Sequence, residues 1–182
     1  MKFPKTPLFA LAFAAATALM PGCNTTGCTD NQNSVPLAGF YSYTTFEPIS
    51  VDSIEIGGVG APADSLLVST PGSASVVSGP VSQVYLPFRA TLGESQFFVR
   101  YMQKALRHDE LNDTLTFSYT SVPYFASEEC GAMYHYRITS LRYTRHLIDS
   151  IGLTDSLITN VERETVQIYF RTNEDSSDDD EI

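Results

Sequence analysis

Apolar and polar residues alternate with period two along much of this chain. Leu115, Phe117 and Tyr119 alternate with Thr114, Thr116, Ser118 and Thr120, and Val166, Ile168 and Phe170 alternate with Thr165, Gln167, Tyr169 and Arg171. The same spacing puts Val84, Leu86 and Phe88 on one face, as it does Phe97, Val99 and Tyr101, and Tyr134, Tyr136 and Ile138. Side chains of a strand point to opposite faces in turn, so this pattern predicts half-buried strands. Weaker versions run through residues 39–46, 50–56 and 65–70. In residues 132–148 the apolar phase passes from even positions to odd ones (Leu141, Tyr143, Leu147), which predicts a bulge or two strands joined by a tight turn. The intervening "GGVGAPAD", "STPGSASVVSGPVS", "TLGES" and "LTDS" are rich in turn-forming residues. "RYMQKALRHDELND" has loose helical phasing and predicts a short helix or an irregular loop. The expected fold is all-β, an antiparallel β-sandwich in a single domain over residues 37–172. An immunoglobulin-like arrangement is the first version to consider, although the chain has no Trp to supply that fold's core marker.

The N-terminus says where such a domain would work. Lys2 and Lys5 precede an uncharged run over residues 8–20. As a helix that run reaches about 20 Å, short of the ~30 Å hydrocarbon core, so it predicts a signal peptide and not a span. Residues 20–23, "MPGC", lead directly into polar "NTTG". Gly22-Cys23 resembles a bacterial lipoprotein signal, in which the cysteine is lipidated and becomes the mature N-terminus. The competing expectation is ordinary secretion with cleavage after Ala18, since residues 16–18 have the small-x-small form. The expected division is then a removed signal over 1–22, a polar leader over 23–36, the sandwich, and a disordered acidic tail over 173–182. Losing Lys2 and Lys5 takes the formal charge from −10 to −12. A surface of that sign repels phosphates, which excludes nucleic acid as a main partner.

Three cysteines are present. With Cys23 lipidated, Cys28 and Cys130 have a single intramolecular pairing open to them, and an oxidising compartment makes a disulfide their default state. It would close a loop of roughly 100 residues, for which chain entropy assigns about 4–5 kcal/mol. The polar surroundings of Cys130, "SEECGAMYHYR", raise two alternatives: a nucleophile with His135 as base, or part of a metal site. In a strand, residues 130 and 135 point to opposite faces unless Gly131 introduces a bulge, and His108 and His146 offer no paired ligand spacing. The structural cysteine is preferred, and no metal or cofactor is expected. Glu128 and Glu129, being adjacent, point apart in a strand, a poor geometry for acid–base work. GxSxG, HExxH and phosphate-binding glycine loops do not occur in the sequence, so the chain is not expected to be an enzyme.

Asp, then Ser or Thr, then Ile or Leu occurs five times, beginning at Asp52, Asp64, Asp113, Asp149 and Asp155. Turn chemistry explains it simply: Asp and Ser bond to nearby backbone, and the aliphatic residue starts a strand. The tripeptide also resembles the acceptor motif for O-glycosylation of exported proteins in Bacteroidota. That resemblance makes Ser53, Ser65, Thr114, Ser150 and Ser156 candidate acceptors.

Several stretches together carry a wider resemblance: Gly27-Cys28, "PLAGFY" from Pro36, "YLPF" from Tyr85, "DTLTFSYTSVPYFASEECG" from Asp113 and the closing "VQIYF". Over roughly residues 23–172 the chain is similar to an uncharacterised lipoprotein family of Bacteroidota, catalogued as a domain of unknown function. The resemblance implies a Gram-negative cell envelope, a β-rich fold, and cysteines near both disulfide positions; it brings no known active site. The expected role is a non-enzymatic lipoprotein of the outer membrane, facing the periplasm, that is held to the membrane by its lipid. It would bind or support an outer-membrane protein or assembly. The alternative is a glycan- or ligand-binding module, which a cluster of solvent-exposed Tyr in one groove would favour.

Overall fold

A computed structural model describes residues 33–62, 66–68, 79–128 and 130–172. Among them lie β1 (Leu37–Ser42), β2 (Ile54–Gly58), β3 (Leu66–Val68), β4 (Gln83–Tyr85) and β5 (Glu94–Tyr101). The second half holds β6 (Asp113–Ser127), β7 (Gly131–Tyr143), β8 (Ile148–Leu153), β9 (Leu157–Ile158) and β10 (Glu164–Phe170). They form two sheets, ordered β4-β1-β10-β8 and β3-β2-β5-β6-β7-β9. Neighbours run antiparallel except β1 and β10, which are parallel along six residue pairs from Leu37↔Glu164 to Ser42↔Phe170. The fold is therefore an all-β sandwich. Its division into four and six strands differs from the four-plus-three of an immunoglobulin constant domain, and the immunoglobulin-like version does not follow from it.

The core is made of the in-phase residues of both sheets. Phe40, Val166 and Ile168 from the small sheet face Ile54, Ile56, Val99, Leu115 and Phe117 from the large one, all fully buried. Each such aliphatic or aromatic side chain contributes about 1.5–3 kcal/mol relative to exposure. Phe88, in the segment after β4, joins the core against the six-stranded sheet. Its ring stacks on Tyr119 at 4.3 Å and meets Phe117 and Tyr136 edge-on or tilted at 5.3 and 5.5 Å.

The phase change within residues 132–148 is a bulge. Tyr119 pairs with Ile138 and Ser118 with Ser140, so Thr139 is the extra residue, and its hydroxyl donates to the Ser118 carbonyl at 3.1 Å. The chain then leaves β7 and crosses to the other sheet through residues 144–147. Within "RYMQKALRHDELND", residues 102–112 form an irregular loop with one 3-10 turn, Asp109–Leu111, while the ends belong to β5 and β6.

One buried carboxylate fastens that crossing. Asp113 is 0% exposed. Its Oδ1 accepts from Thr144 Oγ1 at 2.7 Å and from the His146 N–H at 2.9 Å. Its Oδ2 accepts from the Tyr101 hydroxyl and from the Leu147 and Ile148 N–H groups, each at 2.9 Å. Five donors satisfy the charge that burial would otherwise penalise heavily. Asp149, also buried, takes Arg145 and Arg171 at 3.4 and 3.1 Å on the same corner. Asp155 accepts from the Leu157 N–H at 2.8 Å and pairs with Arg163. Asp155 makes the local turn bond that the recurring tripeptide predicts, whereas Asp113 and Asp149 bond to groups distant in the chain or to arginine side chains and fasten the corner instead.

Candidate functional site

The outer face of the four-stranded sheet carries aromatic side chains where a solvated strand face would carry small polar ones. On β1 the inward phase is Ala38, Phe40 and Ser42, so Gly39 and Tyr41 point outward. On β10 the inward phase is Val166, Ile168 and Phe170, so Gln167 and Tyr169 point outward. Parallel pairing then sets Tyr41 beside Tyr169, with ring centroids 5.4 Å apart. The loop after β1 adds Phe46, whose ring meets Tyr169 edge-on at 5.8 Å and Tyr43 at 6.1 Å.

Phe46 is unusual twice over. It is 63% exposed, and its φ of 60° lies in the left-handed region that bulky residues avoid. Ser42 pins that loop. Its carbonyl accepts from the Phe46 N–H at 2.9 Å, and its hydroxyl accepts from the N–H groups of Thr44 and Thr45 at 3.3 Å each. Backbone held this way against preference is a pointer to function.

Beside the rings lies a polar row. Glu164 Oε1 accepts from the Tyr41 hydroxyl at 2.7 Å and from the Gln167 amide at 2.9 Å, and its Oε2 accepts from the Gln83 amide at 3.4 Å. The Tyr169 hydroxyl donates to Gln167 Oε1 at 3.0 Å. That bond from Tyr41 to Glu164, more than burial, raises the Tyr41 pKa. Gly39 makes the row possible: a Cβ there would come within 2.0 Å of Glu164 Oε2. Gln83, Gly39, Gln167 and Gly152 follow one another across the four strands, a flat strip flanked by rings. At the β4 edge the strip passes Tyr85, which bonds to Glu162. It opens there into a cleft of about 370 Å³ lined by Leu67, Tyr85, Pro87, Val161 and Glu162 among others.

The residues singled out in the sequence fall elsewhere. Cys23, Cys28 and Ser65 lie outside the described residues. Cys130 is disulfide-bonded, so its sulfur is neither a nucleophile nor a metal ligand here; the expected pairing with Cys28 cannot be read, since Cys28 is outside the described set. Cys130 and Glu128 sit in the turn between β6 and β7 and not in a strand, which corrects the strand geometry assumed for both. Gly131 follows with φ of 73°, as a hairpin end requires, and the pairing of β6 with β7 shifts beside it, between Phe125 and Ser127. His135 stacks on Tyr124 at 4.1 Å. The remaining candidate acceptors are dispersed: Ser53 before β2 with φ of 55°, Thr114 half-buried in β6, Ser150 on the outward face of β8 opposite Tyr169, and Ser156 exposed before β9. Sequence phase puts Tyr41 and Tyr169 outward, on strands whose other phase is the core, but does not set them side by side.

A family model matches residues 53–170, well over half the chain. The chain belongs to the family of unknown function DUF6452. No curated protein and no solved structure matches it. The DUF6452 match spans β2 through β10 and so takes in Gln83, Glu164, Gln167 and Tyr169, whereas Tyr41, Tyr43 and Phe46 precede it.

Proposed function

We propose that this protein is a cell-envelope lipoprotein that works by binding, not by catalysis, and that its ligand is a glycan laid on the outer face of the four-stranded sheet. The observation that carries this is the aromatic path Tyr43–Phe46–Tyr169–Tyr41, exposed at Tyr43 and Phe46 and half-buried at Tyr169 and Tyr41, running beside Gln83, Glu164 and Gln167. A sugar ring offers apolar C–H faces and a rim of hydroxyls. Aromatic faces suit the former, while amide and carboxylate groups suit the latter. Such an arrangement of apolar surface with a few fixed polar groups is what a small-molecule site needs. The buried carboxylates favour binding over chemistry, because Asp113 and Asp149 are already engaged in fastening the fold.

Anchoring through a lipid on Cys23, at the outer membrane and facing the periplasm, belongs to the same proposal. The disulfide at Cys130 supports an oxidising compartment, and Gly22-Cys23 after an apolar run supports the anchor. Membership of a Bacteroidota lipoprotein group, and glycosylation at Ser53, Ser65, Thr114, Ser150 or Ser156, are further parts of it. An intact mass of the native protein reads both modifications.

Calorimetry with neutral oligosaccharides tests the ligand class. Wild-type protein should bind, and Phe46→Ala or Tyr169→Ala should weaken binding about tenfold, the equivalent of ~1.4 kcal/mol. The competing expectation is an outer-membrane protein seated on this face. A photo-crosslinker at position 46 that captured a polypeptide, with no oligosaccharide bound, would replace the glycan by that partner.

A further inference from the structure

Beyond Ser121 the hairpin of β6 and β7 outruns the rest of its sheet. On one side β5 pairs with β6 as far as Ser118, and on the other β9 pairs with β7 at Tyr136 and Arg137. From Val122↔His135 to Ser127↔Gly131 the two strands pair with each other alone among the described residues. This arm displays apolar side chains on both faces: Val122 and Tyr124 on one, Phe125 and Tyr134 on the other, from 41% to 64% exposed. At its tip is Cys130, held in a disulfide.

The chain's other cysteines are Cys23 and Cys28, five residues apart. Five extended residues span at most about 18 Å, and a disulfide sets its two Cα atoms about 6 Å apart. With Cys28 as partner and Cys23 acylated, the arm's tip cannot move more than about 24 Å from the lipid. Phe125, opposite Ala132, is about 7 Å back from the tip at the rise of a strand. Aromatic side chains tethered that close to a bilayer match the chemistry of its interface, where rings with one apolar and one wet end collect.

We infer that the β6–β7 arm is a second membrane contact, with Phe125, Tyr134 and Tyr124 seated in the headgroup region beside the lipidated N-terminus. It rests on the lipid anchor proposed above. The occupant is the surface of a zwitterionic bilayer, because Glu128 is exposed at the tip and Glu129 follows it, and both repel anionic headgroups. Two contacts set the orientation of the sandwich: the end carrying Asp113 and Phe46 lies away from the membrane, since β6 runs from Asp113 at that end to the arm at the other.

The absence of Trp makes the test clean. Phe125→Trp and Phe46→Trp are placed singly in the full-length protein purified from membranes and reconstituted into phosphatidylcholine vesicles containing brominated acyl chains. Phe125→Trp should be quenched several-fold more than Phe46→Trp. Raising the anionic lipid fraction should reduce the difference. Mild reduction of the disulfide, with circular dichroism confirming the retained sheet, should abolish it while the protein still floats with the vesicles. Floating, acylated protein in which both Trp residues are equally unquenched overturns this inference and leaves the anchor standing. Protein without acyl mass that does not float overturns both. A photo-crosslinker at 125 that captures protein and not lipid also overturns it.

Discussion

Two tyrosines donate to carboxylates at similar distances, Tyr101 to Asp113 at 2.9 Å and Tyr41 to Glu164 at 2.7 Å. The first pair is sealed inside the corner where the chain changes sheets. The second lies on the outer face beside exposed rings. Both tyrosine pKa values are raised, but for different leading reasons: burial lifts Tyr101 beyond the tyrosine range, whereas for Tyr41 the bond to Glu164 leads. The same chemical pair therefore does different work according to its surroundings. Water competes for Glu164 and can yield to a ligand; nothing competes for Asp113, so its bonds count toward stability.

The largest effect that would sharpen this contrast is Asp113→Ala. It strands the buried Tyr101 hydroxyl and Ile148 N–H and takes the acceptor from the part-buried His146 and Leu147 N–H groups, and should lower unfolding free energy by about 3–5 kcal/mol in urea titrations. A loss under ~1 kcal/mol would break the comparison. Tyr101→Phe should cost less, about 1.5–3 kcal/mol, since it removes one hydrogen bond to a charged acceptor and leaves four. The same tyrosine sets an alkaline limit. An unfolded tyrosine loses its proton near pH 10, while folded Tyr101 keeps it, so stability is intact below that pH and falls as pH rises above it. Denaturation followed from pH 9 to 11.5 should show that slope, shallower in Tyr101→Phe.

On the outer face, Glu164→Gln should change stability by under about 0.5 kcal/mol, as surface substitutions do, yet weaken oligosaccharide binding about tenfold in calorimetry. Stability loss matching that of Tyr101→Phe would erase the distinction between the two pairs. Smallest should be Asp155→Ala. The Leu157 N–H, helped by Arg163, holds the exposed Asp155 carboxyl below its ordinary value. Its contribution is present above the ordinary carboxylate range and fades as pH falls through it. Melting curves between pH 6 and 3 should therefore be slightly flatter in the variant.

Much of the architecture was legible in the sequence because burial writes itself as alternation. The phases of Leu115–Phe117–Tyr119 and Val166–Ile168–Phe170 predicted which residues meet in the core, and the parity slip before Leu141 predicted a bulge or a tight turn, of which the structure has the bulge, at Thr139. Tyr134 shows the limit of that logic. It shares its phase with Tyr136 and Ile138 but stands 43% exposed, because its part of β7 has left the sandwich. Alternation assigns faces and is silent on neighbours, so nothing predicted that β1 would lie against β10. The platform depended on that neighbour relation: Tyr41 and Tyr169 are 128 residues apart and meet through the parallel pairing alone. Cys130 is disulfide-bonded, and its place at the tip of a projecting arm needed the hairpin's full register.

That parallel ladder also decides how the domain would respond to force. β1 enters from the leader at Leu37 and β10 leaves at Phe170, at opposite ends of the six-pair ladder. A pull between the leader and the residues after Phe170 runs along the two strands. Their rungs are then loaded together in shear and do not peel one at a time. A body tethered at one terminus and tugged at the other would resist as a clamp and not as a zip.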